Sequence, residues 1–274
     1  MTHAKYSTGP ALLFCPANRP ERFAKAAERA DTVILDLEDA VGEQEKDAAR
    51  QALIDHPLNP ERTIVRINPV ISGHFPADLR ALTQTEYRTL MLAKTEDGAV
   101  PAALPDYRVI ALCETARGIA NIAAIAATNN VVGLMWGAED LIASLGGTSS
   151  RGTDGSYRQI ARYARAQVLI HAAAHGKAAI DSVYLDIPDT SGLLAEAQDA
   201  RASGFTAKAC IHPSQVPVIR RAYYPDAQEA AAASRILRAA TENSGVFSFE
   251  GQMIDEPVLR QARATLAAWE AGEQ

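Results

Sequence analysis

A (β/α)8 barrel is the α/β fold class that this sequence predicts, and three observations carry it. Eight short apolar or β-branched runs recur along the chain, most of four to seven residues, the length of strands buried on both faces. Ala-rich, charge-bearing stretches of helical period separate most of them, so each return to the sheet crosses a helix and an antiparallel sandwich is excluded. The 274 residues come close to the roughly 250 that one such barrel uses. An open doubly wound sheet would carry a Gly-rich phosphate turn after its first strand, where this chain reads Cys15-Pro16-Ala17-Asn18-Arg19-Pro20.

The first strand is expected at Ala11–Cys15, with a helix over Pro20–Ala30. Thr32–Leu37 and a helix over Glu43–Ile54 follow, then Thr63–Ile67, Thr89–Ala93 and Val109–Cys113. A helix over Ile119–Thr128 leads to the sixth strand, Val131–Trp136. Ser156–His175 reads as a long helix, because Arg158, Arg162 and Arg165 fall at spacings of four and three and give it one polar face. Ala179–Leu185 and Ala207–Ile211 complete the eight. Helices around Ala227–Glu242 and Pro257–Ala271 exceed what barrel closure needs. No linker divides the chain, so residues 1–274 are expected as one barrel domain. Residues 213–274 would be its C-terminal helical tail, reaching the rim or a neighbouring subunit.

Composition narrows the function. Hydrophobic residues at 47% and charged residues at 22% are an ordinary globular balance. The net charge of −6 argues against a nucleic-acid groove, which needs clustered excess Lys and Arg, but leaves room for a small anionic substrate held by one local Arg or a metal. Cys15, Cys113 and Cys210 are odd in number and each lies in an apolar run, so buried free thiols are expected. Lys5 is followed by no long apolar segment, and no run approaches the roughly 20 residues of a membrane span. A soluble, cytoplasmic protein is expected.

The chemistry lies in how the strands end. The second runs into Asp36-Leu37-Glu38-Asp39, the third into Arg66, the fourth into Lys94 and the fifth into Glu114. The sixth ends at Glu139-Asp140, the seventh at Asp186 and the eighth at His212. In a parallel barrel these ends meet at the C-terminal rim, where barrel active sites sit. Taken singly, each charge reads as a strand reaching solvent or a helix cap, as Asp140 would before Leu141-Ile142. Taken together, carboxylates on one small rim without a Cys or His cluster suit a hard cation, Mg2+ or Mn2+, over zinc.

Other candidates are weaker. His171 and His175 are separated only by Ala, so the Glu of a zinc-protease motif is missing. Gly146-Gly147-Thr148-Ser149-Ser150 is as readily a mobile rim loop as an anion nest. His212 reads first as a hydrogen-bonded structural residue, and Ser156 and Ser191 lack a nucleophile elbow. Lys94 as a Schiff-base lysine would leave the carboxylates without a purpose; paired with them it needs no chemistry. Asp255 before Glu256-Pro257 reads as a helix N-cap.

Seven stretches then align in order with one family. They are Leu13–Phe23, Ile34–Val41, Val65-Arg66-Ile67-Asn68, Glu114-Thr115-Ala116-Arg117-Gly118, Gly137-Ala138-Glu139-Asp140-Leu141, Cys210–Gln215 and Gly251–Asp255. Through them the chain resembles the citrate lyase beta-subunit-like proteins of the HpcH/HpaI aldolase and citrate lyase superfamily, in their short, free-standing form. The resemblance implies a (β/α)8 barrel, Mg2+ and a homotrimer or a multiple of it. It makes Glu114 and Asp140 the metal carboxylates and Arg66 the grip on a substrate carboxylate. Glu38 and Asp39 would hold metal-bound waters and orient Arg66, while backbone N–H groups near Gly137 and Ala138 would also meet that carboxylate. Asp255 would be the acid supplied to a neighbouring subunit, and Arg19 and Lys25 the contacts for coenzyme A phosphates. The implied reaction is carbon–carbon cleavage of a malyl-, citramalyl- or citryl-type coenzyme A thioester, or its reverse. A class II aldolase on free hydroxy-oxo acids, the beta subunit of a citrate lyase complex and a non-catalytic barrel are the other readings.

Overall fold

Eight parallel strands close into a barrel in chain order in the computed structural model, which describes residues 9–243 and 245–272. They are β1 (Ala11–Pro16), β2 (Thr32–Asp36), β3 (Thr63–Ile67), β4 (Thr89–Leu92), β5 (Arg108–Cys113), β6 (Val131–Trp136), β7 (Ala178–Asp181) and β8 (Ala207–Cys210). β8 closes the ring on β1, with Leu12 opposite Ala209. Lys5 lies outside the described residues. Leu12, Ile34, Ile64, Met91, Ile110 and Met135 pack together as one buried cluster. Their alternate neighbours, such as Leu13, Leu35, Val65 and Leu90, are also buried. Burial on both faces is why the strands read as continuous apolar runs rather than as alternation.

The connections are α1 (Phe23–Arg29), α2 (Lys46–Asp55), α3 (Phe75–Leu82), α4 (Ala99–Ala102), α5 (Ala116–Ala120), α6 (Ile122–Ala127), α7 (Ala138–Ser144), α8 (Gln159–Ala174) and α9 (Thr190–Ser203). The helix expected over Ile119–Thr128 is two. It breaks at Asn121, whose backbone leaves the helical region (φ −100, ψ 8) while its amide donates to the Glu96 carbonyl. The seventh strand stops four residues early, at Asp181, because the next carbonyl, that of Ser182, accepts a hydrogen bond from Lys208 Nζ (2.7 Å). Asp186, expected at the end of that strand, is an exposed loop residue.

The chain divides into two compact units, Met1–Ile219 and Arg220–Gln274, with α10 (Val216–Tyr223) running across the boundary. The second unit is more than the expected helical tail. Its α11 (Ala227–Glu242) begins with a reciprocal cap between Asp226 and Glu229, and packs on α12 (Glu256–Gly272). Between these helices lies a hairpin, β9 (Phe247–Phe249) and β10 (Gln252–Ile254). Its two turn residues, Glu250 and Gly251, are both left-handed (φ 52 and 80), the turn whose twist matches paired strands.

Candidate functional site

A cavity of about 250 Å3 opens at the C-terminal ends of the barrel strands, and Asp36, Asp39, Arg66, Glu114 and Asp140 line it together. Each arrives there by its place in the fold. Asp36 ends β2, Arg66 is the penultimate residue of β3, and Glu114 directly follows β5. Asp140 lies in the first turn of α7, which follows β6 across Gly137. Of the charges expected at the strand ends these line one cavity, whereas Asp186 and His212 do not, and Leu112, Met135 and Val183 give it an apolar floor and wall.

Arg66 is the most constrained cation. Asp36 and Arg66 are register partners on adjacent strands, and Arg66 donates from Nε and Nη2 to the two Asp36 oxygens, each at 2.6 Å. Glu38 Oε2 lies 3.0 Å from Nη1, and Phe14 stacks on the guanidinium with its ring centre 4.9 Å away. One edge of the fork is therefore fixed, leaving N–H groups on Nη1 and Nη2 for a carboxylate. The expected orienting pair is corrected here. Asp36 and Glu38 hold Arg66, whereas Asp39 lies beyond the strand end, 59% exposed, and pairs with Lys94. Arg66→Lys keeps the charge but loses the planar fork. A loss of at least tenfold in kcat/KM is expected, about 1.4 kcal/mol; an unchanged kcat/KM would place the substrate carboxylate elsewhere.

Glu38 is held from behind. Lys46 is buried and donates from Nζ to the carbonyls of Leu37 and Glu38 (2.7 and 2.8 Å) and to Asn68 Oδ1 (3.0 Å). Asn68 in turn bonds the buried Asp78 carboxylate, which also takes Arg50 Nε at 2.7 Å. These buried bonds fix the segment after β2, although Arg50 Nη2 finds no hydrogen-bond partner. Burial pushes the Glu38 carboxyl up, while Arg66 and Lys94 pull it back. Its Oε2 has Arg66 close but off the N–H axis, so this buried oxygen accepts no hydrogen bond.

Glu114 is 2% exposed, and its surroundings oppose its charge. Burial first, then the negative charges of Asp140 and Glu38, push its carboxyl up to about 8, against the pull of Arg66 and Lys94. Gly137 makes room for it: a side chain there would place Cβ 2.5 Å from Glu114 Oε2. Lys94 stands among the acids. Its backbone N–H donates to Glu114 Oε1 (3.1 Å), and its Nζ pairs with Glu38, with Asp39 (3.4 Å) and with Asp140 (3.5 Å). Burial of the ammonium works against it, but Glu38, Glu114 and Asp140 together outweigh this and hold the amine above its ordinary range. A Schiff-base lysine requires the opposite.

Six carboxylates (Asp36, Glu38, Asp39, Glu114, Glu139, Asp140) thus face three cations, Arg66, Lys94 and Arg151, at and around one cavity. A divalent cation would relieve that excess. Among the described residues no three His, Cys, Asp or Glu side chains form a full ligand set. Two carboxylates with open positions fit Mg2+, which keeps several waters and binds through one or two protein carboxylates.

The remaining expectations fare variously. Gly137 and Ala138 line the cavity. Arg19, in the β1–α1 connection, and Lys25, in the first turn of α1, are exposed and do not line it. The Asp255 side chain accepts from Val258 N (3.2 Å), capping α12 as its local sequence suggests. His212 is exposed and caps the turn that follows it, accepting from Ser214 N. Ser150 is buried and donates to Glu139 (2.5 Å), and Gly146, at φ 74, terminates α7, so that loop is tied down. Ser156 and Ser191 bond to Asp154 and Asp189 in local turns, and the three cysteines are buried and free.

Sequence reasoning gave no role to Asp36, although its place at the end of β2 carried the signal. It missed Arg151, which lines the cavity with its guanidinium 3.8 Å from the Tyr157 ring centre and Nη2 2.7 Å from Glu196. No sequence signal marks that residue.

The model of the HpcH/HpaI aldolase/citrate lyase family matches residues 11–213. A citrate lyase subunit beta-like protein of Mycobacterium tuberculosis is 55% identical over 260 residues, covering 95% of each chain. The mitochondrial citramalyl-CoA lyase of Homo sapiens is 32% identical, over 97% of this chain and 86% of that protein. Among solved structures, Mycobacterium tuberculosis CitE in complex with magnesium, acetoacetate and coenzyme A matches with a TM-score of 0.95. It is 54% identical over 97% of this chain and 99% of that one. Barrel, rim and sequence agree: the chain belongs to the HpcH/HpaI aldolase/citrate lyase family.

Proposed function

We propose that this protein is a Mg2+-dependent carbon–carbon lyase that cleaves a 3-hydroxyacyl-coenzyme A thioester of malyl, citramalyl or citryl type. The products are a 2-oxo acid and an acetyl-coenzyme A-type thioester. The observation that carries this reading is the rim itself, where excess carboxylates stand beside a half-committed arginine fork. Its relatives' names and the magnesium and coenzyme A of the matched structure support it.

Glu114 and Asp140 would hold the metal, and Glu38 and Asp39 its waters. Bound there, Mg2+ supplies Lewis-acid stabilisation of the oxygen that gains charge during cleavage, worth several kcal/mol in such sites. Arg66 binds the carboxylate of the oxo-acid portion and fixes its angle. The apolar wall of Leu112, Met135 and Val183 limits water at the breaking bond. The 3-hydroxyl loses its proton, the electrons of the carbon–carbon bond pass into the thioester as its enolate, and the α-carbon takes up a proton. Asp255 is assigned to that α-proton from a neighbouring subunit, and Arg19 and Lys25 to the coenzyme A phosphates, all three on the resemblance.

Mass spectrometry after incubation with acetyl- or propionyl-coenzyme A and glyoxylate, pyruvate or oxaloacetate tests the reaction in reverse. A Mg2+-dependent condensation product is expected from one pair. Turnover confined to free hydroxy-oxo acids would replace the lyase by a class II aldolase.

The Asp255 assignment has its own test in a cyclic assembly. Glu114→Ala and Asp255→Ala are each expected to be nearly inactive alone. Co-expressed one to one, a working site needs the metal from an Asp255→Ala subunit and the acid from a Glu114→Ala neighbour. Random assembly supplies that ordered pair at about one site in four, so activity should return to roughly a quarter of wild type. Mixed oligomers as inactive as their parents would confine Asp255 to its own chain or to capping α12.

A further inference from the structure

Lys94 does two things that its residue type does not require. It is one of two non-glycine residues with positive φ among those described (φ 49), and the other, Glu250, belongs to the hairpin turn. Lys94 lies in the turn that directly follows β4, where a lysine at positive φ is strained, and strained backbone of this kind collects at functional sites. Both flanks of the residue are tied down. Ala93 N donates to the Ile67 carbonyl (3.4 Å), and Thr95 N to that of Leu112 (3.0 Å). Thr95 is buried, and its carbonyl is so close to Gly118 that a Cβ there would lie 2.4 Å away. The left-handed conformation is therefore imposed by β3, β5 and α5 together.

That conformation lets one residue reach three strand ends. The backbone N–H points at Glu114, after β5, while the ammonium runs to Glu38 and Asp39, after β2, and to Asp140, after β6. Glu38 in turn faces Arg66. We infer that Lys94 is the positioning residue of the site, with two separable grips. Its left-handed backbone sets Glu114 to take the metal, and its ammonium sets Glu38, and through it Arg66, to take the oxo acid. This rests on the lyase reading above and adds to it the division of labour within one residue.

The two grips are separated by two substitutions. Lys94→Gly keeps the left-handed backbone and the N–H but removes the ammonium. Lys94→Val removes the ammonium and resists positive φ. Mn2+ binding, read by electron paramagnetic resonance without substrate, follows the first grip. The second is followed by calorimetric titration of the Mn2+-loaded protein with whichever of glyoxylate, pyruvate and oxaloacetate the wild type binds most tightly. Lys94→Gly is expected to bind Mn2+ no more than threefold more weakly than wild type, yet the oxo acid at least tenfold more weakly. Lys94→Val should weaken Mn2+ at least tenfold. Glu38→Gln should weaken the oxo acid as Lys94→Gly does, and the double variant should be at most twofold worse than either, since both act through one chain of contacts.

Loss of Mn2+ binding in Lys94→Gly, or losses of the oxo acid that multiply in the double variant, would overturn the inference. If Lys94→Val fails to fold, Lys94→Gly and the double variant decide it alone. Wild-type protein that binds no Mn2+ would bring down the lyase reading and this inference with it. Wild-type binding with indifferent variants would bring down only the inference.

Discussion

Glu114→Gln and Asp140→Asn are each expected to retain the fold, bind Mg2+ far more weakly and lose most turnover. Each exchange keeps shape and replaces a charged ligand by a neutral amide, which a hard cation binds poorly. At position 114 the apo protein should not suffer. The amide oxygen can still accept the Lys94 N–H, and the substitution removes a carboxyl whose charged form burial, Asp140 and Glu38 all oppose. The thermal midpoint without metal should therefore stay at or above wild type. The difference appears on adding metal. A ligand present at a hundred times its Kd stabilises a protein that binds it only when folded by about 2.7 kcal/mol. Wild type should show that gain in millimolar Mg2+, and both variants little of it. Near-wild-type turnover of both, at Mg2+ too low to saturate a weakened site, would remove Glu114 and Asp140 from the metal.

The separation between what the residues announced and what they concealed follows from the range of each interaction. Strand ends are local, so Glu114 after Ile110-Ala111-Leu112-Cys113, or Arg66 within Thr63–Ile67, stood out against apolar neighbours. Partnerships across strands depend on register. Asp36 meets Arg66 because β2 and β3 align Asp36 with it, an offset that neither strand's own sequence contains. Lys94 was visible as a cation near acids, but its φ is set by neighbours around Ile67, Leu112 and Gly118. The seventh strand was read too long because Val183 and Leu185 look like strand residues. They line the cavity instead, once Lys208 has taken the Ser182 carbonyl out of the ladder. Between β9 and β10 the turn carries Glu where Asn or Gly is usual, so a three-residue hairpin passed for helix tail.

Lys208 is the deepest of these concealed features and carries the largest expected effect on stability. In sequence it is one residue of Ala207-Lys208-Ala209-Cys210, a strand by composition. In the fold it is fully buried, with Nζ 3.0 Å from Asp181, 2.8 Å from Glu196 and 2.7 Å from the Ser182 carbonyl. Asp181 also receives Arg165 Nε and Trp136 Nε1, each at 2.9 Å, and is held below its usual carboxylate range; burial opposes this, but Lys208 and Arg165 outweigh it. Lys208→Met fills much the same volume but takes from Asp181 and Glu196 one of the two cations that each holds, leaving Arg165 to the first and Arg151 to the second. Breaking a buried pair from one side costs about 3–5 kcal/mol, a drop of roughly 6–20 °C in the thermal midpoint at this chain length. Arg263→Met removes the partner of Glu256 at a surface pair, both side chains more than half exposed, and should cost less than about 1 kcal/mol. Comparable midpoints for the two variants would mean that Arg165 and Trp136 alone satisfy Asp181. If the buried network holds the cavity wall as drawn, Lys208→Met should also weaken oxo-acid binding at temperatures where it stays folded. Glu196, once shared by Lys208 and Arg151, then answers to Arg151 alone.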